Sequence, residues 1–161
     1  MNKKIKNATP KSKYGIDFKS KTEERFYTLL LEAGFKPRYE ETTYILWKGR
    51  QTTVPFYTQV KSKKDSQYNL INKGKRTLRD ITYTPDFTIT APDGTTIFIE
   101  AKGFVNDVYP IKRKLFRSYL EDLANAGYKV AFFEIYSIKQ LVQAINIIKG
   151  IYGPAKNQGA I

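Results

Sequence analysis

Hydrophobic positions along the chain recur at two periods, and the switches between them divide it into elements. Phe26, Leu29, Leu30 and Ala33 are spaced for one face of a helix, and Gly34 ends the run. Ser20 and Glu23 form a Ser-x-x-Glu capping box ahead of it, which predicts a helix over 20–33. A second helical pattern opens at Pro110, a residue suited to the first turn, and stops at Gly127. Ile111, Leu115, Phe116, Leu120, Leu123 and Ala124 are its expected buried stripe. A third follows a Ser-x-x-Gln box at Ser137 and Gln140, with Leu141, Val142, Ile145 and Ile148 as its apolar face.

Between the helices the pattern is that of strands. Residues 35–39 lead into a first strand. Segments 41–47 and 50–60 predict a hairpin around Lys48-Gly49-Arg50, with Pro55 at an edge or bulge. Trp47, Phe56 and Tyr57 are expected in the core rather than as stacking platforms for bases. Asn69, Asn72 and Gly74 interrupt 61–79, which reads as a mobile loop. Residues 81–90 and 96–102 predict two strands joined by a turn containing Pro92 and Gly94. The apolar run of 129–136 predicts a central strand buried on both faces. The helix before it makes it parallel to the preceding strand, through a right-handed crossover. The class is α/β, with residues 1–17 as a flexible basic arm, 18–149 as one domain and 150–161 as a frayed tail.

Alternation along 81–102 has a chemical consequence. Ile81, Tyr83, Phe87 and Ile89 share one face of the first strand, and Thr84, Asp86, Thr88 and Thr90 the other. On the second strand Ile97, Ile99 and Ala101 oppose Phe98, Glu100 and Lys102. If Thr90 pairs with Thr96, Asp86 lies directly opposite Glu100, with Cβ atoms about 4.5–5.5 Å apart. Two carboxylates that close repel unless a cation joins them. Mg²⁺ suits one or two carboxylates, with water completing its shell. Lys102 beside them is suited to act on a water or on charge developing at a phosphate. The plainer alternative makes Asp86 a turn residue after Pro85, and Glu100 and Lys102 solvated residues of an open sheet face.

Composition narrows the chemistry. With no Cys and no His, the chain offers no disulfide, cysteine zinc site, His-based nucleophilic triad or His-ligated metal. Any metal rests on carboxylates, backbone oxygens and water. The 28 Lys and Arg outnumber 15 Asp and Glu, for a net charge of +13. That is the electrostatic footprint of a polyanion binder. Lys61, Lys63, Lys64, Lys73, Lys75, Arg76 and Arg79 crowd one segment, where they are expected to follow a phosphate backbone. Lys112, Arg113, Lys114 and Arg117 crowd the first turns of the second helix, where its dipole disfavours cations. No apolar run approaches the roughly 20 residues of a membrane span, and no signal peptide is visible, so an intracellular, cytoplasmic location is expected.

Pro85-Asp86 followed after fourteen residues by Glu100-Ala101-Lys102 resembles the motif of the PD-(D/E)XK nuclease superfamily. Residues 18–23, 83–87, 100–103 and 111–116 together resemble small endonucleases of phages and prophages, including Holliday-junction-resolvase-like enzymes. The resemblance implies a restriction-endonuclease-like αβββαβ core, with a mixed central sheet flanked by helices. It implies Mg²⁺-dependent cleavage of DNA phosphodiesters, with Mn²⁺ as a substitute. Asp86 and Glu100 would hold the metal with the Ala101 carbonyl, and Lys102 would act on the attacking water. Glu23 would be a further acid, on the helix face toward the body of the protein. Lys112 and Lys114 would contact the DNA backbone. Branched DNA is the expected substrate, and paired cuts imply a homodimer. A non-catalytic basic DNA-binding protein, and a nuclease subunit of a transposase or restriction system, are the alternatives.

Overall fold

The computed structural model describes residues 11–103 and 108–153. Residues 1–10 of the expected arm and 154–161 of the expected tail lie outside them. The sequence-expected helices form: α1 (Lys21–Glu32), α2 (Tyr109–Asn125) and α3 (Ile138–Ile151). The Ser20 and Ser137 hydroxyls accept from the Glu23 and Gln140 N–H groups, as their capping boxes predict. Gly34 and Gly127, with φ of 91° and 92°, take the left-handed backbone that ends α1 and α2. Among the described residues no helix is long and apolar enough to cross a membrane.

The body is a mixed four-stranded sheet. Its strands are β3 (Arg38–Tyr39), β10 (Phe87–Thr90), β11 (Thr96–Ala101) and β12 (Val130–Ile135). Their order is β12-β11-β10-β3, and β12 runs parallel to β11. The β10–β11 register is the expected one, Thr90 opposite Thr96 and Phe87 opposite Ile99. Helices cover both faces. Phe87, Ile89, Ile97 and Ile99 pack with Phe26 and Leu30 of α1 and with Leu141, Ile145 and Ile148 of α3. Phe98 packs on the other side with Phe116 and Leu120 of α2.

Several expectations are corrected. β12 is an edge strand, half-buried from Val130 to Glu134, because it has a neighbour on one side only. In α2 the buried residues are Tyr109, Phe116 and Leu120, whereas Ile111 and Ala124 face solvent. In α3 Ala144 is buried where Val142 was expected. Part of the expected arm is folded: β1 (Lys11–Lys13) and β2 (Ile16–Phe18) form a hairpin that seats Phe18 in the core.

The largest difference lies between residues 44 and 83. No hairpin forms around Gly49, and 61–79 is not a loop. Instead, three strands run outward, β4 (Tyr44–Trp47), β5 (Gln51–Thr52) and β6 (Tyr57–Lys61). Three run back against them, β7 (Tyr68–Asn72), β8 (Arg76–Thr77) and β9 (Ile81–Tyr83). The pairs β4–β9, β5–β8 and β6–β7 make one interrupted two-stranded ribbon. Its interruptions fall at glycines. A Cβ on Gly49 would strike the Leu78 carbonyl, and one on Gly74 the Val54 carbonyl. Glycine marks a close backbone approach here rather than a turn. Phe56 and Tyr57, expected in the core, are 58% and 62% exposed because the ribbon projects from the body. Trp47, nearer the root, is half-buried.

Candidate active site

Pro85, fully buried, interrupts the chain between β9 and β10. The break divides the residues read as one face. Phe87 and Ile89 lie in the core under α1 and α3, while Tyr83 lies in the core under α2. Tyr83 therefore stands on the Glu100 side of the sheet, where its hydroxyl donates to Glu100 Oε2.

Asp86 sits one residue beyond the last ladder pair of β10 and β11. Its Oδ2 accepts from the Ala101 N–H at 2.7 Å, which ties the carboxylate across the strand pair. Its own carbonyl accepts from the Glu40 N–H at 2.9 Å. Glu100 is 6% exposed, and its Oε1 pairs with Lys102 Nζ at 2.5 Å. The Lys102 ammonium lies over the Tyr109 ring, 3.3 Å from its centre. Asp86, Glu100 and Lys102 thus converge as the alternation suggests, with Tyr83 and Tyr109 closing around them.

The electrostatics follow from this crowding. Burial, then the charge of Glu100, pushes the Asp86 carboxyl up to about 8, and Glu23 adds to the effect. The Ala101 N–H and Lys102 work against it. A carboxyl so displaced, in a buried polar cluster, marks a functional-site candidate. Tyr83 is held far above its ordinary range by burial and by Glu100.

Glu23 joins this region by a different route. Its carboxylate takes the Ser20 hydroxyl at 2.9 Å and the Tyr39 hydroxyl. It faces the sheet, as expected, but no hydrogen bond joins it to Asp86 or Glu100 among the described residues. Its link to them is electrostatic. Lys19 is ion-paired with Glu40, and its ammonium also feels Glu23 and Asp86. Burial works against that charge, but the acids hold its pKa up.

On the other side, Glu134, register partner of Glu100, accepts from Tyr109 at 2.5 Å, Tyr136 at 2.5 Å and Arg113 at 2.9 Å. Burial opposes its ionisation, yet these three donors hold its pKa below the ordinary range. Arg113, one of the basic residues read as DNA-binding, is ion-paired with Glu134 at 2.9 Å while its side chain stays 40% exposed. The other basic residues expected on α2 differ in exposure: Lys112 is half-buried, and Lys114 and Arg117 are exposed. Lys61, Lys63, Lys64, Lys73, Lys75 and Arg76 are all exposed along the ribbon.

Sequence reasoning missed Lys19, Tyr39, Glu40, Tyr83, Tyr109 and Glu134. Only Lys19 and Tyr83 carried a signal, since they lie in the segments 18–23 and 83–87 that carry the resemblance. The others arrive from separate elements. Among the described residues no three acids gather into a ready-made metal-ligand group. The donor set of two carboxylates with a neighbouring backbone carbonyl still suits a hard cation that retains most of its water. The excess negative charge around Asp86 favours such a cation.

The structure therefore defines a mixed α/β protein with a buried Glu100, a half-buried Asp86 and a lysine at one end of its central strands. The chain belongs to a family described as "Protein of unknown function (DUF1064)", whose model matches residues 4–134. No curated protein and no solved structure matches it.

Proposed function

We propose that this protein is a metal-dependent endonuclease that hydrolyses phosphodiester bonds of DNA, built on a restriction-endonuclease-like core. The observation that carries the reading is the crowding of Asp86 against Glu100, with Lys102 paired to Glu100 at 2.5 Å. Asp86 and Glu100 would hold Mg²⁺, with Mn²⁺ able to substitute, and the Ala101 carbonyl is a third donor. When bound, the cation supplies Lewis acidity toward water and the phosphate. Lys102 contributes a positive charge that orients the attacking water and balances charge developing on phosphate oxygens. Tyr109 restrains that ammonium, and Tyr83 orients Glu100. Glu23 raises the negative potential without touching the pair. Water supplies both the hydroxyl that joins phosphorus and the proton that joins the leaving sugar oxygen as the P–O bond breaks.

The net charge of +13 supports a polyanionic substrate. Branched DNA is the substrate class we favour, with a homodimer supplying the two sites that paired cuts require. The test is incubation of the protein with linear, nicked and four-way-junction DNA, with Mg²⁺ and with EDTA. Mg²⁺-dependent cleavage is expected, with the junction preferred. Asp86→Ala and Lys102→Ala are expected to bind DNA and leave it intact. Full cleavage by either variant overturns the mechanism. Salt-sensitive binding with no metal-dependent product favours a non-catalytic DNA-binding protein instead.

A further inference from the structure

The outer part of the ribbon, β6 and β7, is a second functional feature. A two-stranded ribbon is at best marginal on its own, and a chain that extends one away from its core leaves both faces open to a partner. Every residue of β7 is exposed. Tyr57, Tyr68 and Leu70 are 62%, 60% and 74% exposed, an apolar surface that the body does not cover. The register shows how they are arranged. Tyr57 opposes Asn72, Gln59 opposes Leu70 and Lys61 opposes Tyr68. Directly paired residues project from the same face, so Tyr57, Gln59, Lys61, Tyr68 and Leu70 form one surface. The Lys61 ammonium lies 5.9 Å from the centre of the Tyr68 ring. Asn72 shares the face, but its side-chain Oδ1 accepts from the Phe56 and Gly74 N–H groups. The Gln59 amide makes no side-chain hydrogen bond among the described residues.

Charge identifies the partner. Between residues 48 and 80 there are nine Lys and Arg against two acids, +7 of the chain's +13. All nine are exposed, and only Lys48 is ion-paired among the described residues. A second copy meeting this surface would set one such arm against another, a like-charge arrangement that association disfavours. A nucleic acid meets it with the opposite charge. Strands about 4.8 Å apart make a ribbon that the major groove of undistorted duplex DNA, about 12 Å wide, admits, whereas the minor groove, about 6 Å wide, takes a ribbon only when it is widened at a deformation cost. The exposed face carries the groups that read base edges there. A free glutamine amide suits adenine, a lysine suits guanine, and apolar side chains suit the thymine methyl.

We propose that β6 and β7 form an arm that lies in the major groove of duplex DNA and reads it through Tyr57, Gln59, Lys61, Tyr68 and Leu70. Its bearing on cleavage rests on the endonuclease reading. The arm continues toward the acid pair through β8 and β9, and β9 carries Tyr83 against Glu100 and leads into Asp86.

The test uses full-length protein in EDTA, so that cleavage plays no part. Dimethyl sulfate methylates guanine N7 in the major groove and adenine N3 in the minor groove of a mixed-sequence duplex. Bound protein is expected to protect N7. A Gln59→Ala, Tyr68→Ala, Leu70→Ala triple variant is expected to lose that protection and bind at least about tenfold more weakly, at unchanged melting temperature. Lys61→Ala, Lys63→Ala and Lys64→Ala together are expected to lower the slope of log affinity against log salt by up to about 3. Asp86→Asn is expected to retain full N7 protection. Failure to bind duplex, unchanged N7 reactivity, or protection at N3 alone overturns the inference. So does a triple variant that binds DNA normally but turns a dimer into a monomer, which assigns the face to a second copy. Cleavage without N7 protection removes the arm and leaves the endonuclease reading standing, and N7 protection without cleavage does the reverse.

Discussion

Replacing Asp86 by Asn is expected to stabilise the protein while disabling it. Burial and Glu100 raise the Asp86 carboxyl from 3.8 to about 8. The folded chain therefore holds a proton that the unfolded chain releases. The stability this proton provides is complete below about pH 4 and is lost as pH rises to about 8. A shift of about four units at 1.36 kcal/mol each sets a ceiling near 5–6 kcal/mol for the cost of the charged form above pH 8. The site relaxes when Asp86 ionises, so about 1–3 kcal/mol is the expected expression. Asparagine preserves the shape and the carbonyl that accepts from Ala101 N–H, never ionises, and offers Glu100 a donor. In EDTA, Asp86→Asn should melt about 3–10 °C above the wild type at pH 8.5, and above it by only about a third of that at pH 5. Mg²⁺ should narrow the gap at pH 8.5, because it stabilises only a chain that binds it. Thermal unfolding followed by circular dichroism, at both pH values with and without Mg²⁺, reads all of this. A variant no more stable than the wild type at pH 8.5, or equally stabilised at pH 5, refutes the reasoning.

Tyr83→Phe removes a donor from buried Glu100 and should cost about 1–3 kcal/mol, measured by urea denaturation, together with a fall in cleavage rate. Phe116, fully buried and in contact with the rings of Tyr83, Phe98 and Phe132, should cost about 3–5 kcal/mol on replacement by Ala, by the same measurement. Gly74→Ala drives a Cβ into the Val54 carbonyl, so hydrogen exchange should rise in β6 and β7. The global melting temperature should stay nearly constant, since the outer ribbon carries none of the core.

What the chain determines locally was legible in it. Ser20 and Ser137 start helices because their hydroxyls cap the first free N–H groups. Gly34 and Gly127 end them because they accept a left-handed backbone. The β10–β11 register follows from alternation across a short turn, and it sets Asp86 on the face and at the level of Glu100. Tertiary structure decided what depends on partners distant in sequence. Segment 44–61 has the same strand composition whether it folds back on itself or pairs with 68–83, and only the assembled chain selects the second. That choice sets Phe56 and Tyr57 in solvent and makes the basic segment a projecting ribbon. Pro85 redirects Tyr83 toward Glu100, α2 lays Tyr109 under Lys102, and Glu134 takes up Arg113. Periodicity names the face a side chain occupies within its own strand or helix. Which faces meet is a property of packing, and this acid pair owes its crowded, charge-strained environment to that packing.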